Sequence, residues 1–209
     1  MYKIINLSRS EISLDNATHI PIDLSNSDWH SSLPATFKNL LNSVDQICLI
    51  HNASKMQSDN VENIDADNLR EVLEVNLVGP SILNKIVIPY MNKGSSILYV
   101  GSTLSEKAVP QMASYVTTKH GMVGLMRSTC QDLFGRFIHT ACICPGATET
   151  EMLVEYVQGN KDALIMMAQT LSENRLISPK EIARTLLFCA QNSVINGSII
   201  HANLGIQET

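Results

Sequence analysis

Tyr115 and Lys119 stand four residues apart in a stretch, residues 114–134, whose pattern predicts a helix. That spacing puts both side chains on one helical face, one turn apart. A free tyrosine titrates at about 10, too high for acid–base work near neutrality. A nearby ammonium stabilises the phenolate and lowers that value. A Tyr–Lys pair is therefore a tunable proton donor and acceptor. Such a pair arises by chance in roughly one chain in five of this composition, so it needs neighbours. Ser102 supplies one: it lies 13 residues before Tyr115, just past a predicted strand at residues 96–101.

The elements that must position these groups alternate along the chain. Strands are predicted at residues 3–7, 18–24, 46–51, 96–101, 138–143 and 198–202. Pro21 marks the second as an edge strand. The run QICLIH at 46–51 is apolar enough for a strand buried on both faces. Helices are predicted at 27–41, 65–91 and 114–134, with Pro80 and Pro89 inside the second. Residues 149–176 read as loosely packed helix broken at Gly159-Asn160. Ser178-Pro-Lys-Glu181 is a helix start, with serine as cap, proline at the first position and glutamate at the third. Alternating strand and helix implies an α/β fold: a doubly wound, Rossmann-like parallel sheet, taken here as one domain over 1–209. In such sheets ligands bind beyond the carboxyl ends of the strands, where Ser102 lies.

Composition narrows the function classes. The chain has 209 residues, 44% of them hydrophobic, enough to bury a core. Fifteen basic against 20 acidic residues argue against nucleic acid, which needs clustered cations. No apolar run suggests a membrane span and the first residues do not read as a signal peptide, so the expectation is a cytoplasmic protein with no membrane partner. The five cysteines have no framework spacing, which fits a reducing compartment. Cys142-x-Cys144 reads as buried strand packing rather than metal ligation, because no second Cys/His pair accompanies it.

Several motifs recur in order. Gly101-Ser-Thr-Leu-Ser followed by Ser114-Tyr-Val-Thr-Thr-Lys119 resembles the active-site region of the short-chain dehydrogenase/reductase family, including the spacing. His51-Asn52-Ala53-Ser54 resembles its Asn-Asn-Ala-Gly motif, with His51 in place of Asn and Ser54 in place of Gly. Glu74-Val-Asn76-Leu-Val-Gly79 resembles its helix motif, Cys144-Pro145-Gly146-Ala-Thr148-Glu-Thr150 its Pro-Gly-x-x-x-Thr motif, and Asn196-Gly-Ser-Ile-Ile-His201 its last strand.

The resemblance implies an oxidoreductase that moves hydride between a nicotinamide cofactor and a carbonyl or alcohol. Tyr115 would be the acid–base. Lys119 would lower its pKa and bind the nicotinamide ribose. Ser102 would orient the substrate oxygen, and Asn76 would hold a water linking Lys119 to solvent. Asn52, Ala53, Pro145, Gly146, Thr148 and Thr150 would line the cofactor, Thr150 facing the carboxamide. His51 and His120 read as packing or surface residues. Residues 149–177 would form a substrate lid. Family members associate through the two long helices, so a homodimer or homotetramer is implied.

The front of the chain departs from the pattern. Dinucleotide-binding folds open with a strand, a Gly-rich turn and a helix whose N-terminus stabilises the pyrophosphate. Here the first glycine is Gly79. Residues 4–10 instead resemble the family's second strand. Arg9 stands where a basic residue would meet the 2′-phosphate of NADP, which favours NADP(H) over NAD(H), and Asp23-Leu24 resembles the adenine contact. In the order 3-2-1-4-5-6 the missing unit is central. Either a segment upstream supplies it, or residues 3–7 move into the central slot and the pyrophosphate site is gone. Two readings compete: a working NADP-linked enzyme, and a non-catalytic binding or assembly protein that kept the fold.

Overall fold

The computed structural model describes residues 2–12 and 14–206. Among these residues six strands form: β1 (Ile4–Ser8), β2 (Ala17–Pro21), β3 (Cys48–His51), β4 (Ser96–Val100), β5 (His139–Pro145) and β6 (Ser198–Ala202). Seven α-helices accompany them: α1 (Ala35–Asn42), α2 (Ala66–Leu73), α3 (Gly79–Val87), α4 (Ala113–Asp132), α5 (Glu151–Tyr156), α6 (Lys161–Gln169) and α7 (Pro179–Gln191). Every strand pair is parallel, and the pairs fall into two sets, β1-β2 and β3-β4-β5-β6.

The four-stranded set carries the core. Ile97, Leu98, Tyr99, Ala141, Cys142 and Ile143 are fully buried, as their unbroken apolar runs require. Ile97, Tyr99 and Cys142 face Leu83 and Val87 of α3 and Met122 and Met126 of α4. Leu98, Ala141 and Ile143 face the other way, against Leu171, Ile177, Ile182 and Leu186. Alternate residues of one strand thus serve opposite layers, which makes the sheet doubly wound. Cys142 and Cys144 are packing residues, both buried, with sulfurs 4.0 Å apart.

Between β1 and β3 lies an open channel of about 1050 Å³, floored and roofed by Ile5, Leu7, Leu49, Leu83 and Leu186 among others. Residues 3–7 do not move into the centre: β1 keeps a five-residue register with β2, from Ile4 opposite Ala17 to Ser8 opposite Pro21. β3 is therefore an edge of its own set. Its run reads as buried on both faces, yet Cys48 is exposed and Ile50 is 42% exposed, because the neighbouring position is open. β2 is the outer edge, as Pro21 predicts.

Local departures have local causes. The helix expected over 27–41 is a 3-10 turn at Trp29–Ser32 followed by α1 from Ala35. Pro34 holds Leu33 extended (ψ 121°) and so splits the segment. The long helix starts as expected, with the Asp65 carboxylate accepting from Asp67 N and Asn68 N. Pro80 does not break it. The preceding turn, Glu74–Val78, widens into a π-helix with Gly79 N–H bonded to Glu74 O. That turn accommodates a ring which would clash with the carbonyl four residues back in an unbroken α-helix. Pro89 ends the helix in a 3-10 turn. Contrary to the sequence expectation, this helix, Ala66–Tyr90, is long and apolar enough by composition to cross a membrane. Val72, Leu83 and Val87 of it are buried in the protein's interior. The capping box of α7 forms as predicted between Ser178 and Glu181.

A directed hydrogen-bond chain runs through the layer above β3 and β4. His51 Nε2 donates to Asn84 Oδ1 (2.8 Å), Asn84 Nδ2 to the Tyr99 hydroxyl (2.7 Å), that hydroxyl to Thr129 Oγ1 (2.9 Å), and Thr129 to Leu125 O (2.8 Å). Burial pushes the His51 pKa down to about 4. Native His51 then stays neutral while the unfolded chain takes up a proton below its ordinary value of about 6.5, so the stability it supports is lost as pH falls from about 6.5 towards 4. His51→Asn removes the titrating group. The stability of the wild type relative to that variant should fall by about 3 kcal/mol between neutral pH and pH 4 in urea titrations. A constant difference would mean that His51 does not carry this penalty.

Candidate active site

The strand ends bring three of the predicted groups together. Ser102 follows β4. Its Oγ accepts from Leu104 N (3.1 Å), and its N–H donates to Ser105 Oγ (3.1 Å). This capping box fixes the serine rotamer and leaves its own proton to donate. Gly101 precedes it because a Cβ there would stand 2.8 Å from both Cys142 Sγ and Ser105 Oγ. Tyr115 and Lys119 lie on the buried face of α4, 8% and 2% exposed. The hydroxyls of Ser102 and Ser54 lie near enough to that of Tyr115 to pull its pKa down. Lys119 Nζ donates to Val100 O (2.9 Å) and lies 5.3 Å from the Tyr115 ring centroid.

The electrostatics differ from the expectation. Lys119 does not depress the Tyr115 pKa in this arrangement. Its ammonium faces a carbonyl and the ring, not the phenol oxygen, and burial dominates, raising Tyr115 to about 12. The groups that pull the value down are the hydroxyls of Ser102 and then Ser54. Burial also lowers Lys119 to about 8. Burial shifts both groups towards their uncharged forms because ions are costly in a dry site, yet Lys119 still carries its proton at neutral pH.

Asn76, on the π-turn, is fully buried. Its Oδ1 accepts from Lys55 N (2.7 Å) and Ser54 Oγ (3.2 Å), and its Nδ2 donates to Lys55 O and Thr118 Oγ1, both at 2.9 Å. The amide's two donors and two acceptors are thus all used within the protein. The side chain has no place left for the water assigned to it from the resemblance.

Sequence reasoning missed the other anchor. Asp59 is 6% exposed, and its carboxylate accepts from Ser114 N (3.0 Å) and from the Ser114 hydroxyl. Backbone bonds from Asp59 N to Gln111 O and from Ala113 N to Asp59 O flank this contact. The α4 start lacks a side-chain cap of its own at Met112. A carboxylate brought from 55 residues away meets its free N–H groups and complements the helix dipole. The signal was an acid in the polar loop 52–63, with nothing in the sequence to say where it reaches.

The expected cofactor residues sit at neighbouring strand ends. Arg9 is exposed just past β1. Asp23 follows β2 and is held below its ordinary pKa by Ser25 N–H and hydroxyl bonds, with a smaller contribution from Arg9. Leu24, Asn52 and Ala53 line the channel. Pro145 ends β5, and Gly146 N bonds Ala202 O, with Asn203 so close that a Cβ would meet its Cα at 3.1 Å. Thr148 Oγ1 donates to Gly146 O (3.0 Å). Thr150 is an exposed helix cap accepting from Leu153 N (3.3 Å). Residues 149–177 start and finish at a bridge between Thr148 and Ile177, with α5 and α6 between and Met166 67% exposed. His51 is buried and His120 exposed.

These residues fit the nicotinamide and ribose end of a dinucleotide: two hydroxyls, a buried amine and a glycine with little room at its Cα. At the pyrophosphate end the chain offers less. Among the described residues β2 follows β1 with no helix between them.

Comparison with known proteins places this architecture. A family model described as Enoyl-(Acyl carrier protein) reductase matches residues 6–207. The chain is 29% identical over 164 residues to an uncharacterized oxidoreductase of Thermotoga maritima, covering 75% of this chain and 65% of that protein. It therefore spans just under two thirds of that relative's length. It is 24% identical over 213 residues to carbonyl reductase family member 4 of Xenopus laevis, covering 99% and 88% of the two chains. A solved 4-hydroxyisoleucine dehydrogenase complexed with NADH superposes with a TM-score of 0.82 at 26% identity, covering 97% of this chain and 87% of that one.

The Asp59 anchor gives a direct test. Asp59→Ala should cost about 2 kcal/mol in urea unfolding, the loss of hydrogen bonds to a charged group, and should speed amide exchange at Ala113 and Ser114 selectively. Unchanged exchange at those two amides would show that the carboxylate does not hold the helix start.

Proposed function

The chain belongs to the short-chain dehydrogenase/reductase family, and on that premise we propose that it interconverts a small-molecule carbonyl and its alcohol using NADP(H), less favourably NAD(H). The observation that carries this reading is Tyr115 and Lys119 buried together on one face of α4, with the Ser102 hydroxyl near the phenol at the carboxyl edge of the sheet. A bound dinucleotide supplies the hydride. The chain supplies position and a proton. Ser102, its oxygen already engaged by Leu104 N–H, donates its own proton to the substrate oxygen and orients it. Tyr115 gives its proton to that oxygen as charge develops there. Lys119 holds the nicotinamide ribose hydroxyls, and Asn52, Ala53, Pro145, Gly146, Thr148 and Thr150 line the rest. Arg9 meets the adenosine 2′-phosphate, and Asp23 and Leu24 the adenine. Residues 149–177 close over the substrate, with Met152, Met166 and Met167 forming an adaptable apolar surface. The protein works in the cytoplasm as a homodimer or homotetramer joined through the outer faces of its long helices.

One observation favours a second reading, a non-catalytic binding or assembly protein. The channel between β1 and β3 stands where a dinucleotide's phosphates would need backbone N–H groups at a helix start.

Fluorescence titration of the purified chain with NADPH and NADH separates the two. Micromolar binding that favours NADPH about tenfold, reversed by Arg9→Glu, supports the first reading, as does NADPH-dependent reduction of ethyl acetoacetate or diacetyl lowered at least about 100-fold by Tyr115→Phe. A folded chain that binds neither nucleotide leaves the second.

A further inference from the structure

The channel beside β1 and β3 is bordered on both sides by strand edges. Ile4 N donates to Asn16 O (3.3 Å) and Ser8 O accepts from Ile22 N (3.1 Å), so Ile4, Asn6 and Ser8 turn their backbone groups towards β2. Those groups alternate sides along a strand, which leaves the N–H and C=O of Ile5 and Leu7 facing the channel. β3 does the same from the other side. Ile47 O accepts from Ser96 N (2.9 Å), so Ile47, Leu49 and His51 turn to β4, and Cys48 and Ile50 face the channel. Among the described residues no strand pairs with either edge. Neither strand carries the charged side chain or proline that guards an open edge.

The dimensions and the lining fit one strand. The channel holds about 1050 Å³. A strand as long as β1, five residues, fills roughly 800 Å³ at about 3.3 Å per residue, about 4.8 Å between neighbours and about 10 Å between layers. Ala183, Leu187 and Ala190 of α7 line the channel at i, i+4 and i+7, and Phe37, Leu41 and Leu83 line it from α1 and α3. The charged lining residues, Lys3 and Asp45, lie outside the bordering strands. An aliphatic molecule would fill this space and leave the N–H and C=O groups of Ile5, Leu7, Cys48 and Ile50 unmet. An extended peptide meets those groups and the apolar layers together.

We propose that the channel is a docking site for an extended apolar segment of another polypeptide, which inserts as a strand between β1 and β3 and pairs with both. Its side chains alternate between two apolar layers, so it is apolar at every position rather than at every second one. Its backbone joins the two sets of strands into one sheet. The site is separate from the groups around Tyr115, and the proposal stands whether or not the chain turns over a carbonyl.

The test needs no turnover. The full chain is titrated with the fluorescein-labelled peptide Lys-Val-Ile-Val-Ile-Val-Lys and followed by anisotropy and by amide exchange. The peptide should bind with a Kd of about 10 μM and slow exchange at Ile5, Leu7, Cys48 and Ile50 by at least about tenfold, while Asn6 and Leu49, already bonded within their own sets, change less. The same peptide N-methylated at alternate residues, in either phase, keeps every side chain but loses the N–H groups that face one edge. Each methylated form should bind at least about tenfold more weakly. Leu187→Glu changes an exposed residue of α7, so the variant should fold as the wild type does and lose at least about tenfold in affinity. A folded chain that shows no binding up to about 1 mM peptide overturns the proposal. Equal binding of the methylated peptides, or slowed exchange along one strand alone, overturns the two-sided pairing and the proposal with it. Decanoic acid that binds in the channel and displaces the peptide as well as the unlabelled peptide does would make this an aliphatic site instead.

Discussion

The buried amide of Asn76 is the interaction on which the site depends. A side chain with two donors and two acceptors, removed from water, must find four partners or bear the cost of leaving one unmet. It finds them on the loop after β3 and on α4, and so ties three separate segments to one point. The π-turn carries this amide in the turn that leads up to Pro80. Asp59 makes the second tie, from the far end of the same loop to the start of α4. Tyr115 sits one residue beyond that contact. Its position is thus fixed from both ends of a loop that has no regular structure.

The placement of two titratable groups in a dry pocket follows from this rigidity and carries an electrostatic cost. Burial raises Tyr115 and lowers Lys119, so the pair is nearer to neutral than either group would be in water. The serine hydroxyls oppose that trend at the phenol oxygen. They are small dipoles at short range, and they act without adding a buried charge that would itself need a partner.

Much of the fold was legible because the strands in the middle of the sheet are unbroken apolar runs and the helix caps are local signals. Asp65, Ser178 and the break at Gly159-Asn160 are read from a few neighbouring residues. Ser102, Tyr115 and Lys119 were legible for the same reason: helix geometry and a strand end place them. What escaped was non-local. Asp59 reaches across 55 residues to Ser114, and the exposure of Cys48 and Ile50 depends on what stands beside β3, not on β3's own sequence. The inversion of the Tyr115 pKa escaped too. Spacing puts Lys119 on the right face, but the direction of its ammonium is set by the carbonyl of Val100.

The channel divides the site into two banks. Arg9 and Asp23 stand on the bank of β1 and β2; Ser102, Lys119 and Gly146 stand on the other. Among the described residues no strand ladder joins the banks. Beside one hydrogen bond, from Gln191 Nε2 to the Tyr2 hydroxyl (3.4 Å), apolar contact crosses between them, with Ile20, Phe37 and Leu41 in the same core cluster as Leu83 and Val87. Such contact is non-directional and tolerates small slides that a hydrogen-bonded ladder resists. A ligand long enough to touch both banks is in effect bivalent. Its second contact has an effective concentration set by the width of the gap, and part of its binding energy goes into fixing that width. Fragments that reach one bank alone report intrinsic affinities, and the shortfall of the whole ligand against their combination measures how loosely the banks are joined.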